Sequence, residues 1–261
     1  MIGVFDSGLG GLSVLANIAQ TLPTADLTYL ADTAHLPYGS KPDEFIRSRV
    51  LAIGRYFAER GCGLIVVACN TATAAAVQAL REQHPGIPVV GIEPGVKPAA
   101  ASSRTGRIAV LTTESTARST GLTRLIRNHA SQVKVHVEAC PGWATRIETL
   151  RLDEADFAAE VAAKVLPLLD SGVDRLVLGC THYSFLMPLL ETLVAGRAEL
   201  VDVAAAVAQQ VVRLAGNHAR GNGRLCLLAS AQPERLHTAL PALGLASLLP
   251  RLNGSAVLAE V

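Results

Sequence analysis

Two short stretches constrain this chain more than any others: LIVVACNTAT at 64–73 and LVLGCTHYS at 176–184. Each reads as a fully buried apolar strand that halts at a cysteine, Cys69 in the first and Cys180 in the second. Polar, helix-starting residues follow at once: Asn70, Thr71 and Thr73 after one cysteine, Thr181 and His182 after the other. In an open α/β sheet, ligands settle just beyond the carboxyl ends of strands, where helix N-termini aim unpaired N–H groups. A cysteine at such a point is accessible, and the helix dipole favours its thiolate. The two cysteines stand about 110 positions apart, the length of one small domain. The pair therefore reads as one chemical device built twice.

The rest of the chain alternates in the same way. Ile2–Phe5 reads as a first strand, before the loop DSGLGG and an amphipathic helix that Pro23 ends. Strands follow at Asp26–Ala31, Leu64–Ala68 and Ile87–Ile92, separated by a helix reaching Arg60 and another over Ala72–Gln83. Asp32–Pro42, DTAHLPYGSKP, is too rich in turn formers for either element, and Ser102–Gly106 reads as an exposed join. Beyond it, strands at Arg107–Thr112, Val133–Glu138, Val173–Leu178, Glu199–Val201 and Leu225–Ala229 alternate with helices. One helix follows Thr112 directly, and the others cover Glu154–Leu169 (led in by CPGWATRIE), a segment from about Tyr183, one through Leu214, and Glu234–Leu243. This pattern predicts two pseudo-symmetric α/β domains with mainly parallel sheets and the active site in the inter-domain cleft. The last elements are expected to return to the first half. That gives a discontinuous first domain, 1–93 plus 205–261, and a second domain, 94–204.

Half of the residues are hydrophobic, yet no apolar run approaches the roughly 18 residues of a membrane span. The opening MIGVFDSGLGG lacks the basic and long apolar regions of a signal peptide, so the expected location is cytoplasmic. A formal charge of +1 with no Lys/Arg-rich run leaves no electrostatic footprint for nucleic acid. The five cysteines (Cys62, Cys69, Cys140, Cys180 and Cys226) are odd in number and scattered, with no CxxC pair. That argues against a disulfide framework and against a structural zinc site. Cys62 and Cys226 are expected to be inert core hydrophobes, whereas Cys140, in the loop-like ACPG, is open to either reading.

DSGLGG invites a phosphate-binding reading, but the dinucleotide pattern fails because Ser13 stands where its third glycine belongs, and no GK[ST] follows. A tight strand-to-helix turn is favoured, with Asp6 and Ser7 left as contacts for a ligand ammonium or a catalytic thiol. His182 has no second ligand at metal spacing, so it is read as a partner to a thiol or a substrate contact. Glu148 is evenly balanced between a solvated helix residue and a site residue. Lys41, Lys97, Lys134 and Lys164 occupy no recognisable pyridoxal-phosphate setting, which disfavours a Schiff-base cofactor.

With these residues in view, the chain resembles the glutamate racemases over nearly its whole length. The resemblance is carried by GVFDSGLGGLSV, DTAHLPYGSK, VACNTATA, GIEPGVKPA, LTTEST, ACP ahead of Glu148, LGCTHYSFL and VDVA. It implies cofactor-independent interconversion of L- and D-glutamate by a two-base proton transfer, supplying D-glutamate for peptidoglycan. Cys69 and Cys180 match the two cysteines that face the substrate. Asp6, Ser7, Tyr38, Gly39, Asn70, Thr71, Thr181 and His182 fall on the substrate-contacting positions, Thr113 and Thr116 are further contacts, and Glu148 matches an acidic residue near the second cysteine. A homodimer is implied as well, with neither metal nor nucleic acid as partner. Related racemases acting on aspartate also pair two cysteines, and the sequence does not fix cleft length; the whole-chain resemblance favours glutamate. Ser184 stands where the family usually has proline, and LLASAQPERL departs from the commoner glycine-aspartate form. Some members carry an N-terminal extension that contributes to activation by a cell-wall precursor. Here the first strand starts at Ile2, so activation of that type is not expected.

Overall fold

Ten strands, each parallel to its neighbours, divide between two sheets in the computed structural model, which describes residues 1–261. The chain opens with β1 (Ile2–Asp6), α1 (Leu12–Thr21), β2 (Leu27–Ala31), α2 (Asp43–Glu59), β3 (Leu64–Val67), α3 (Asn70–Gln83) and β4 (Val89–Gly91). It continues through α4 (Val96–Ser102), β5 (Arg107–Thr112), α5 (Glu114–Arg118), α6 (Thr120–His129) and β6 (Lys134–Ala139). Then come α7 (Trp143–Glu148), α8 (Ala155–Asp170), β7 (Arg175–Leu178), α9 (Met187–Val194) and β8 (Glu199–Val201). The last elements are α10 (Ala204–Ala215), β9 (Leu225–Ala229), α11 (Glu234–Ala242) and β10 (Val257–Leu258).

The larger sheet has the order β10-β9-β2-β1-β3-β4 and the smaller β6-β5-β7-β8. Without β10 and β9 the two orders are the same, with β5 standing for β1 and β7 for β3. In this order the winding reverses between β1 and β3, and again between β5 and β7. A parallel sheet opens a crevice at the carboxyl ends of its strands at such a reversal. Phe5 pairs with Val67, and Leu111 with Leu178. The chain leaving β3 therefore reaches the crevice at Cys69, and the chain leaving β7 reaches it at Cys180.

The inner strands β1, β3, β5 and β7 read as nearly unbroken apolar runs because helices cover both faces of each sheet there. Ile46, Val50, Ile53 and Phe57 of α2 pack on one face of the larger sheet, and Val96, Ala99 and Leu122 of α4 and α6 cover one face of the smaller. A third apolar cluster crosses from one half to the other, from Leu12 and Leu15 of α1 through Val207 and Val211 of α10 to Phe157, Trp143 and Tyr183. Within it Trp143 meets Phe157 and Tyr183 edge-on, with centroids 6.2 and 5.3 Å apart. Such pairs add about 0.5–1.5 kcal/mol each beyond the area they bury; all three rings belong to the second half, and the packing of α1 and α10 in the same cluster joins them to the first. The chain crosses between the sheets after β4 and after β8, and the crossings touch: a Cβ on Gly95 would lie 2.7 Å from Cγ1 of Val201. No helix is long and apolar enough to cross a membrane.

Several elements differ from the sequence reading. Helix α3 begins at Asn70, directly after Cys69, rather than at Ala72. CPGWATRIE is not only a lead-in but forms α7, and the 32–42 stretch holds two short 3-10 turns, Thr33–His35 and Tyr38–Ser40. Helix α4 and strand β10 have no counterpart in that reading. Cys226 is partly exposed on β9 rather than buried, while Cys62 is buried, and burial pushes its thiol up to about 11.

Candidate active site

Cys69 and Cys180 both sit in extended backbone just past a strand end, 5% and 6% exposed. Cys69 is the N-cap of α3, and its Sγ accepts from the Ala72 N–H at 3.5 Å. The Ser7 hydroxyl lies 4.0 Å from the same sulfur. Burial, and then the Asp6 charge, push the Cys69 thiol well above its ordinary range, although the Ala72 N–H opposes this.

Cys180 is built differently. Thr181–Leu186 form a 3-10 turn, and α9 starts only at Met187, with Pro188 in its first turn. Proline there fits a helix start, because its missing N–H and fixed φ cost nothing at that point. Cys180 therefore lacks the α-helical cap expected from the sequence and instead lies 3.6 Å from Nδ1 of His182. The other ring nitrogen of His182 is 2.5 Å from Oε1 of Glu148. Burial opposes a charged ring here, but the bonds to Cys180 and Glu148 outweigh it and hold His182 well above the usual histidine range. Glu148, 4% exposed, is thereby a site residue and not a solvated one.

Between the cysteines lies a cavity of about 80 Å³, room for a few waters or one small metabolite. Ser7, Cys69, Asn70 and Thr71 line it from the first half, together with Tyr38 and Gly39 of the 36–40 loop. Cys180, Thr181, His182, Glu148 and Thr113 line it from the second. Eleven of the thirteen predicted residues thus converge on one cavity, all but Asp6 and Thr116. Asp6 does not border it: fully buried, it accepts from the N–H groups of Ser7 at 2.6 Å and of Gly11, and from the Thr181 hydroxyl at 3.3 Å. Thr116 stands back as well, in a triangle of hydroxyls with Thr71 (3.3 Å) and Thr113 (3.1 Å). Thr71 and Thr113 bridge the halves at 3.1 Å.

The wall also includes Cys140, Pro141 and Gly142, which the motif reading did not place there. Burial pushes the Cys140 thiol up to about 12, and the sulfur donates to the Glu138 carbonyl at 3.5 Å. Cys140 thus lines the wall with a thiol already engaged by a backbone carbonyl. Asn70 donates its Nδ2 to the Ile92 carbonyl at 3.4 Å, which leaves its buried Oδ1 without a donor. Buried acceptors are normally satisfied, and this one is the exception among the side chains that border the cavity.

Two of the three glycines of DSGLGG, Gly8 and Gly10, are explained by the other half docking on this loop, while Gly11 lies against Asp6 and Tyr29 of its own half. A Cβ on Gly8 would overlap the Glu148 carboxylate, and one on Gly10 would overlap the His182 ring. The N–H of Leu9, at the head of α1, donates to Glu148 Oε1 at 2.6 Å. The anion held at this helix start is thus a carboxylate of the protein itself, which fills the place the phosphate reading had in view. Gly10→Ala is expected to destabilise the fold by about 1–3 kcal/mol, the usual range for forced overpacking. Urea unfolding of parent and variant measures it, and an unchanged midpoint would mean that the ring yields without cost.

Fold and site together define a two-lobed, parallel-sheet α/β enzyme with paired cysteines across a closed polar cleft. The Asp/Glu/Hydantoin racemase family model matches residues 2–211, and the chain belongs to that family. Among its relatives, the glutamate racemase of Stutzerimonas stutzeri is 46% identical over 245 residues, 93% of either chain. A glutamate racemase isoform from Bacillus anthracis superposes with a TM-score of 0.86 at 29% identity, covering 100% of this chain and 97% of that one. Escherichia coli glutamate racemase, solved with L-glutamate and the activator UDP-MurNAc-Ala, gives 0.84 at 31% identity, covering 100% and 98%.

Proposed function

We propose that this chain interconverts L- and D-glutamate without a cofactor, by proton transfer between the α-carbon and two cysteines on opposite faces of the substrate. The observation that carries this reading is the placement of Cys69 and Cys180 at equivalent strand ends of two matched sheets, across one small polar cavity. In one direction a Cys69 thiolate takes the α-proton and the Cys180 thiol delivers another to the opposite face; in reverse the roles exchange. Each positioned acid or base of this kind contributes about 10²–10⁴ in rate.

The surroundings divide the work. The substrate ammonium is assigned to Ser7 and to the unpartnered Oδ1 of Asn70. That cation beside Cys69 opposes the effects that keep its thiol protonated, since a nearby opposite charge favours the ionised form. Asp6, behind the wall, orients Ser7 and the loop. The hydroxyls of Thr71 and Thr113 face the α-carboxylate and stabilise negative charge that develops on it as the proton leaves. The main chain of Tyr38 and Gly39 seats the distal carboxylate. On the other face His182, held charged by Glu148, attends Cys180.

The same reading places the domain boundaries at 1–93 with 205–261 and at 94–204, the protein in the cytoplasm as a homodimer, and its product in peptidoglycan synthesis. Proton NMR of the protein with L-glutamate in D₂O, with circular dichroism on the same sample, tests the activity. Loss of the α-proton signal together with decay of optical activity to zero is the expected result. Reduced, folded protein that does neither, or that acts on L-aspartate instead, would overturn the assignment.

A further inference from the structure

Asp32, the residue after β2, is fully buried, yet it does not border the cavity. Its carboxylate is surrounded. Oδ2 accepts from the Tyr38 hydroxyl at 2.6 Å and from Nε of Arg49 at 3.0 Å. Oδ1 accepts from Nη2 of Arg49 at 3.0 Å and lies 3.0 Å from Nδ1 of His35. Burial opposes the charged carboxylate, but the bonds to Arg49, Tyr38 and His35 outweigh it and hold Asp32 below the usual range.

A buried ion pair is a weak source of stability, because desolvation offsets most of the attraction. What such a cluster supplies is fixed geometry, and here it fixes a single loop. It joins the end of β2, the first turns of α2 and Tyr38, whose ring is 1% exposed and whose hydroxyl is already engaged. On its far side the same loop is stopped by the other lobe: a Cβ on Gly39 would stand 3.0 Å from Cβ of Thr113. A loop anchored on one side and stopped on the other keeps a set distance from the two cysteines. Distance is what separates a five-carbon amino diacid from a four-carbon one.

We propose that Asp32, acting through Tyr38, is a positioning residue that sets the length of the cleft and hence its preference among acidic amino acids. The proposal rests on the reading of Tyr38–Gly39 as the seat of the distal carboxylate, and the test is arranged to separate the two. Tyr38→Phe removes one hydrogen bond and leaves the Asp32–Arg49 pair intact. It is expected to raise KM for glutamate about tenfold, the scale of one bond to a charged group, with kcat within about threefold of the parent. The ratio of kcat/KM for aspartate to that for glutamate, followed by α-proton exchange in D₂O, should rise. Asp32→Asn should move the same quantities further in the same direction, and if it does not fold, Tyr38→Phe still decides. Unchanged KM and unchanged ratio in Tyr38→Phe, or a loss confined to kcat, would overturn the proposal. Gly39→Ala presses on Thr113 directly and distinguishes the failures. If it raises KM while Tyr38→Phe does not, the loop seats the carboxylate and the role of Asp32 falls. If neither variant moves KM, the carboxylate is seated elsewhere and both readings fall.

Discussion

Replacing either Cys69 or Cys180 by serine is expected to lower glutamate racemisation by at least about a thousandfold, inside the range that positioned acid–base groups supply. Serine is close in size, and both positions are nearly closed to solvent, so the fold should survive. What changes is acidity. A serine hydroxyl holds its proton far more tightly than a thiol, whose free pKa is about 8.5, and so cannot serve as the base at neutral pH. A substrate bearing a β-leaving group needs only one base: the remaining thiolate takes the α-proton, the electron pair forms the double bond, and the leaving group departs as its anion. Each variant should therefore still eliminate from one enantiomer, and the two variants from opposite ones. Polarimetry with glutamate and absorbance with the β-substituted substrate read the two activities separately. Near-parental racemisation in both single variants would sink the two-base mechanism.

Much of this site was legible because its parts are local. Strand, cysteine and helix start lie within ten residues of one another in LIVVACNTAT, and apolar runs too short for a helix announce parallel strands. The duplicated motif implied the matched sheets. What escaped the sequence is contact between distant segments. Glu148 meets Leu9 across 139 positions, and no periodicity marks it; the signal available was the glycine spacing of DSGLGG, which reads as a turn until something is found packed on it. The Asp32 cluster likewise draws on three separate elements. Helix α4 was missed for another reason: VKPAAAS carries Pro98, which reads as a breaker, yet Pro98 lies in the first helical turn, where no N–H is needed. Strand β10 is only two residues, Val257 and Leu258, too short to show a period.

Glu148→Gln should be the most informative single change outside the cysteines, with kcat falling about a hundredfold or more, as for loss of general acid–base assistance. The variant keeps an oxygen to accept from Leu9, so the docking of the halves persists, but it removes the charge that opposes burial at His182. Burial is the largest influence on that ring, and with the Glu148 charge gone only the interaction with Cys180 still opposes it, so the ring releases its proton at a lower pH than in the parent. The pH dependence carries a definite sign. In the parent the folded ring binds its proton more tightly than free histidine, whose pKa is about 6.5. Its contribution to stability is therefore complete below about pH 6.5 and is lost as pH rises through the higher folded value. In the variant the alkaline limb of the kcat profile should move to lower pH, and the urea midpoint should differ most from the parent's on the acid side of neutrality. A variant with parental kcat and an unshifted alkaline limb would mean that the Glu148–His182 pair only fastens the lobes together, and Cys180 would then have to work without it.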